Sequence, residues 1–195
     1  MAIAIASIQI ERKLFTVDEY EQMIAAGVLH EDERLELIEG DILTMSPIGG
    51  LHVRVVNTLN RLFVQRLADQ AVVSVQNPVR LANSEPQPDL AILRPEVNED
   101  APAVPSASDV YLLIEVSDTT ATYDRTVKVP LYAREGIRET WLLDLSAGVI
   151  EVYRGAGSAG YKTKESFAAG DTVFLQALPD VRLTVDEILG SSQRG

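Results

Sequence analysis

Cysteine is absent from the 195 residues of this chain, which excludes disulfides, thiolate metal sites and a cysteine nucleophile. Histidine is almost as scarce, at 2 residues, so no histidine-rich metal site can be built. A metal bound here has to be held mainly by oxygen, which favours magnesium, manganese or calcium. Long apolar runs are also missing. Met1 to Ile10 is apolar but too short to span a bilayer, and no cationic side chain precedes its apolar run as in a signal peptide. A soluble, cytoplasmic protein with no membrane partner is the expectation. Several catalytic templates are lacking too. There is no phosphate-binding glycine loop ending in Lys-Ser/Thr, no G-x-S-x-G and no H-E-x-x-H.

Positive charge is in short supply. Lys and Arg number 17 against 29 Asp and Glu, a net charge of −12. That balance opposes strong non-specific binding to nucleic acid, which needs cationic contacts with phosphates. It leaves room for a nucleic-acid enzyme with a metal-neutralised site and a local basic strip. Arg54, Arg61, Arg80, Arg125 and Arg138 are the candidates for such a strip. The hydrophobic fraction of 46% and charged fraction of 24% are ordinary globular values, and the length suits one domain, 1–195, with a full core.

Within that domain the local signals are regular. Thr16-Val-Asp-Glu19 is a capping box with Phe15 and Tyr20 at the staple positions, so a helix is expected from Val17 to about Ala26, stopping at Gly27. Arg34–Ile38 and Asp41–Met45 flank Glu39-Gly40 and read as a tight hairpin. Val56, Leu59, Phe63 and Leu67 form a helical stripe over Leu51–Ala68, with His52 on the same stripe and pointing inward. Strands are expected over Val72–Leu81, bent near Asn77-Pro78, and over Asp89–Leu93 and Tyr111–Ser117. Helical pattern resumes at Asp124 and ends at Gly136, with Pro130 awkward inside it. A hairpin joins Glu139–Leu145 to Val149–Tyr153. Residues 155–195 supply short strands and a second capping box, Thr184 to Glu187. The order predicts an α/β (α+β) fold, a mixed sheet with helices on its faces and added hairpins.

Two carboxylates stand out. Asp89 opens one apolar strand, and Glu115 lies near the end of another, Tyr111-Leu-Leu-Ile-Glu-Val-Ser117. Glu is almost never buried without a partner. Set on neighbouring strands, the two can share a hard divalent cation, with the Val116 carbonyl as a further oxygen ligand; the competing reading is that each carboxylate is salt-bridged locally. Lys128 has two readings as well. It can steady charge beside a metal-bound water, or form an i,i+4 pair with Asp124 on a solvated helix face. Glu36 alternates with Leu35 and Leu37 and takes the opposite face, where it is either solvated or turned towards a site.

These residues resemble a known pattern. Pro88-Asp89 followed by Glu115-Val-Ser117 is similar to the PD-(D/E)XK restriction-endonuclease-like superfamily. A longer ordered set resembles the Uma-two family of bacterial endonucleases: Phe15–Tyr20, Glu36–Gly40, Met45-Ser-Pro47, His52, Ile114–Ser117, Asp124-Arg125, Lys128, Leu131–Ala133, Gly136-Ile137 and Trp141–Asp144. The likeness runs from about Phe15 to Arg154, leaving 1–14 as an N-terminal arm and 155–195 as C-terminal strands and a short helix. It implies a restriction-endonuclease-like mixed sheet and a Mg2+- or Mn2+-dependent endonuclease acting on DNA. Asp89 and Glu115 would be the metal ligands, with Glu36 and His52 flanking them. Ser117 stands where the superfamily has lysine, and Lys128 is the implied replacement. Two rival readings stand beside it. One is a nuclease-fold binding or interaction module with weak or lost activity. The other is a metal-dependent hydrolase of a small phosphorylated molecule.

Ile3 to Ile10 alternates Ile with other residues and shows no helical stripe, so it can pair as a strand on an exposed edge. The edge belongs either to its own domain or to a second subunit, and the second case makes the chain a homodimer. Light scattering on a chain lacking residues 1–10 is expected to report a lower mass than the full chain; an unchanged mass removes the intersubunit version.

Overall fold

The computed structural model describes residues 12–30, 33–98 and 104–190. The arm Ile3–Ile10 lies outside them, and so does the homodimer expectation that rests on it. Helix α1, Val17–Ala25, starts at the expected capping box, with Thr16 accepting from the Glu19 N–H and the Glu19 side chain answering the Thr16 N–H. Strands β1, Leu35–Ile38, and β2, Asp41–Thr44, form the hairpin. Its turn places Glu39 at φ 49° and Gly40 at φ 86°, the left-handed pair that matches strand twist in a two-residue turn. A Cβ on residue 40 would stand 2.8 Å from the Leu14 Cβ, so glycine is required for packing as well as for conformation.

Helix α2, Gly50–Leu67, buries the predicted stripe together with Val55 and Leu62. It covers one face of a six-stranded sheet. The sheet runs β3 (Val72–Val75), β4 (Leu90–Leu93), β5 (Val110–Ser117), β6 (Glu139–Asp144), β7 (Val149–Arg154), β8 (Thr163–Phe167) in that order. All neighbours are antiparallel except β5 and β6. Leu112, Ile114, Val116, Trp141 and Leu143 meet α2 on one face, while Ala91, Leu113, Leu131 and Tyr132 pack on the other. A second hairpin, β9 (Thr172–Leu175) with β10 (Leu178–Thr184), and the short α5 (Val185–Leu189) close the α2 side.

Two expectations need correction. The strand expected over Val72–Leu81 ends at Val75, because Gln76 turns left-handed at φ 51° and Pro78 has no N–H to offer a ladder. The helix expected from Asp124 begins earlier. It comprises α3 (Ala121–Tyr123), a π turn over Asp124–Lys128 and α4 (Val129–Arg134). The Val129 N–H reaches back five residues to the Asp124 carbonyl. The wider turn is how the helix accommodates Pro130, whose ring would otherwise meet the preceding turn. This helix is the crossover that the parallel β5–β6 pair demands, so it leaves the sheet at the end of β5 where Glu115 lies.

The hairpin is tied to the body by a two-way backbone bridge between Leu37 and Glu85. Glu85 is buried, and its Oε2 has no hydrogen-bond partner among the described residues. Burial, followed by the neighbouring Glu21 carboxylate, pushes its carboxyl up to about 7, against the opposing pull of Arg80. A carboxyl raised in the folded state contributes stability that is present at pH 4 and is lost as the pH climbs through 7. Glu85→Gln removes that dependence. In urea unfolding, its advantage over the wild type is expected to grow by about 2 kcal/mol between pH 5 and pH 8; an advantage equal at both pH values would contradict the assignment.

Candidate active site

Antiparallel pairing brings the two singled-out carboxylates together. Leu90 pairs with Ile114 at the end of the β4–β5 ladder, so one further step sets Asp89 beside Glu115. Asp89 is locked there by three partners. Its Oδ2 accepts from the Val116 N–H at 2.8 Å. Its Oδ1 accepts from Gln76 Nε2 at 3.2 Å and lies 2.9 Å from His52 Nε2. His52 therefore points inward from the start of α2, as its stripe position requires, and its buried Nδ1 has no partner among the described residues.

Glu115 shares the face of Leu113 and alternates with Ile114 and Val116 along β5, which turns it to the face covered by the crossover helix. There its Oε1 accepts from the Tyr132 hydroxyl at 2.5 Å and lies 3.4 Å from the Lys128 ammonium. Lys128 Nζ is closer still to Glu36, at 2.9 Å from Oε2. Lys128 is 4% exposed, Glu36 4% and Glu115 3%. The solvated reading of Glu36 is thus overturned: the second face of the hairpin lies against the crossover helix instead of water. The Asp124–Lys128 surface pair is overturned too. Asp124 is buried and accepts from Ser117 Oγ at 2.6 Å and Thr120 Oγ1 at 2.7 Å, leaving Lys128 to turn inward. Its ammonium stands between Glu36 and Glu115, displaced from the expected place between Asp89 and Glu115.

Burial governs the electrostatics. It pushes the Glu115 carboxyl well above the usual range, opposed by Lys128 and reinforced by Asp124 and Asp89. Burial alone would lower the Lys128 ammonium, but Glu115, Glu36 and Asp124 together outweigh it and hold that ammonium above its ordinary value. Tyr132 is likewise raised, by burial and then by Glu115, so its hydroxyl stays a donor. Burial and then Glu36 push Tyr123, on the same cavity wall, up to about 12.

The cavity these groups line has a volume of about 560 Å³ and opens between the hairpin, the 45–49 loop and the crossover helix. All five sequence candidates, Glu36, His52, Asp89, Glu115 and Lys128, lie on its wall with Val116. The five arginines proposed for a basic strip do not; among the described residues Arg34 and Lys128 are the cations of the wall. No group of three or more His, Cys, Asp or Glu side chains among the described residues is arranged around one metal position. The donor chemistry nevertheless fits a hard cation. The carboxylates supply oxygen, Asp89 Oδ2 faces a single donor, the contacts of Glu115 fall on its Oε1 and leave Oε2 for a ligand, and no thiol competes. The contacts that Tyr132 and Gln76 make with the two carboxylates, and those of Ser117 and Thr120 with Asp124, were not read from the sequence. Tyr132 carries no local sign of its role, because a tyrosine on an apolar helix face reads as core.

Removing Lys128 would leave Glu36 and Glu115 buried without their cation. Lys128→Ala is expected to cost about 3–5 kcal/mol in chemical unfolding, as for other buried pairs deprived of one partner. A surface lysine would cost almost nothing, so a loss below about 1 kcal/mol would contradict the buried pairing. Glu36→Gln combined with Lys128→Met should cost less than the sum of the two single changes.

None of the described helices is long and apolar enough to cross a membrane. No curated protein matches the chain. One similar solved structure is a crystal structure of "a putative nuclease belonging to DUF820" from Anabaena variabilis ATCC 29413. It aligns with a TM-score of 0.71 at 15% identity, over 90% of this chain and 97% of that chain. At that identity the likeness speaks for the fold, a mixed sheet flanked by helices. Residues 17–186 match the model of the Uma2 family, described as "Putative restriction endonuclease". That match runs past Arg154 and takes in the C-terminal strands. The chain belongs to the Uma2 family.

Proposed function

We propose that the chain is an endonuclease that hydrolyses phosphodiester bonds of DNA with Mg2+ or Mn2+ as its ion. The observation that carries this reading is the convergence of Asp89, Glu115 and Lys128 on one cavity at the end of β5. Asp89 and Glu115 would hold the ion, with the Val116 carbonyl as a further donor. Bound there, it would lower the pKa of a water molecule and offset charge on the phosphoryl group. The remaining roles belong to the chain itself. Glu36 and Glu115 keep Lys128 charged in a buried position, where a preorganised cation stabilises developing negative charge far better than in water. His52 and Gln76 fix the rotamer of Asp89, and Tyr132 fixes that of Glu115.

One observation favours the rival reading of a nuclease-fold binding module. The wall carries more acid than cation, and Arg80 and Arg125 are spent on acids of their own chain away from it. Plasmid nicking with Mg2+ and with Mn2+ separates the two readings. The endonuclease is expected to nick supercoiled DNA in either ion and to stop with chelator. Asp89→Asn should abolish cleavage, and Lys128→Met, assayed where it remains folded, should lower it roughly a hundredfold. Ser117→Ala removes no charge and should cost much less. DNA binding without nicking in either ion would sink the enzyme reading and leave the binding module.

A further inference from the structure

Arg125 lies in the π turn three residues before Lys128 but serves a different part of the sheet. Its Nε donates to Glu151 Oε2 at 2.9 Å. Its Nη2 donates to Asp144 Oδ2 at 3.0 Å and to Glu151 Oε1 at 3.2 Å. Nη1 closes on the Ala121 carbonyl at 3.3 Å. Glu151, on β7, is held from its other side by Lys164 Nζ at 2.8 Å and the Tyr153 hydroxyl at 2.5 Å. Asp144, at the end of β6, is held by Ser146 Oγ at 2.7 Å and the Ala147 N–H at 3.0 Å. Both acid side chains are nearly buried, at 8% and 10% exposure. An arginine fork bound this way is geometrically exacting.

The π turn gives the fork its leverage. On an α-helix, residues three apart share a face. Here Arg125 reaches β6 and β7, whereas Lys128 reaches Glu36 on β1 and Glu115 on β5. π turns are rare within helices, and this one is fastened at three points: Asp124 to Ser117 and Thr120, Arg125 to β6 and β7, and Lys128 to β1 and β5. The middle fastening lies outside the cavity.

We propose that Arg125, Glu151 and Asp144 form a clamp that positions Lys128, making the cation of the site dependent on charges carried by β6 and β7. Arg125 is then a positioning residue; for its effect on cleavage, though not on the placement of Lys128, the proposal rests on the nuclease reading.

The test reads the placement of Lys128 directly. Acetic anhydride labels accessible amines, and mass spectrometry resolves the 4 lysines of the chain. In the wild type, Lys128, with a side chain 5% exposed, should label far more slowly than Lys13, at 63%. In Arg125→Gln, and in the milder Glu151→Gln, the Lys128 to Lys13 labelling ratio should rise roughly tenfold or more, since a freed lysine stem reaches solvent. Arg125→Lys, which keeps one charge, should raise it less. Arg154→Gln breaks another Arg–Glu pair on the same strands, with Glu139, and should leave the ratio at its wild-type value. In DNA nicking, the two clamp variants should lose roughly tenfold in kcat at unchanged KM, the mark of lost positioning. A wild-type ratio in both clamp variants, or an equal rise in Arg154→Gln, overturns the clamp. If the wild type itself does not nick DNA, the nuclease reading falls while the labelling ratios still decide the clamp.

Discussion

One buried ammonium organises this molecule. Lys128 draws in Glu36 from the hairpin and Glu115 from the central strand, groups brought together from three separate segments. Each charge would be costly to bury alone, by several kcal/mol even after relaxation. Together they are tolerable only because the ammonium lies against both carboxylates and Tyr132 satisfies the same oxygen of Glu115. The arrangement is weak evidence for stability, since an apolar trio of the same shape could hold the layers as well. It is better read as a constraint on register. The hairpin, β5 and the crossover helix cannot slide relative to one another without stranding a charge.

The topology explains why this happens at one end of the sheet. A parallel pair inside an otherwise antiparallel sheet forces a helical crossover, and the crossover has to begin where β5 stops. β4 runs the opposite way, so its first residues arrive at that same end. Asp89 and Glu115 are therefore neighbours by connectivity, before any side-chain interaction is considered. They differ in how they are held. Asp89 is oriented by a backbone N–H, an amide and an imidazole; Glu115 is oriented by a phenol and a cation.

Much of this was legible in the residue order. Capping boxes marked α1 and α5 because their hydrogen bonds are local. The hairpin turn was legible from Glu39-Gly40, and the end-placed carboxylates from the apolar runs beside them. What stayed hidden depended on layers. Alternation showed that Glu36 leaves the face of Leu35 and Leu37, but not that the crossover helix covers the other face. Pro130 signalled trouble in a helix without saying that a π turn would absorb it. Asp124 and Lys128 have the spacing of a surface pair, and only the wider turn, with Ser117 and Thr120 competing for Asp124, separates them. Tyr132 and Glu151 gave no local sign, because their partners are distant in sequence.

The way this chain uses its cations has a further consequence, for kinetics in salt. Arg66, Arg80, Arg125, Arg134 and Arg154 each hold an acid of the same chain, and the chain as a whole, with 29 acids against 17 bases, carries a net charge of −12. A typical DNA-binding protein loses association rate as ions shield its attraction to phosphate. For a molecule of this sign the long-range force on DNA is repulsive. Shortening the Debye length from about 30 Å at 0.01 M to about 8 Å at 0.15 M would ease the approach instead of hindering it. On the proposed nuclease reading, encounter would then be governed by short-range contacts around the cavity, whose wall includes Arg34, and not by electrostatic attraction along duplex DNA.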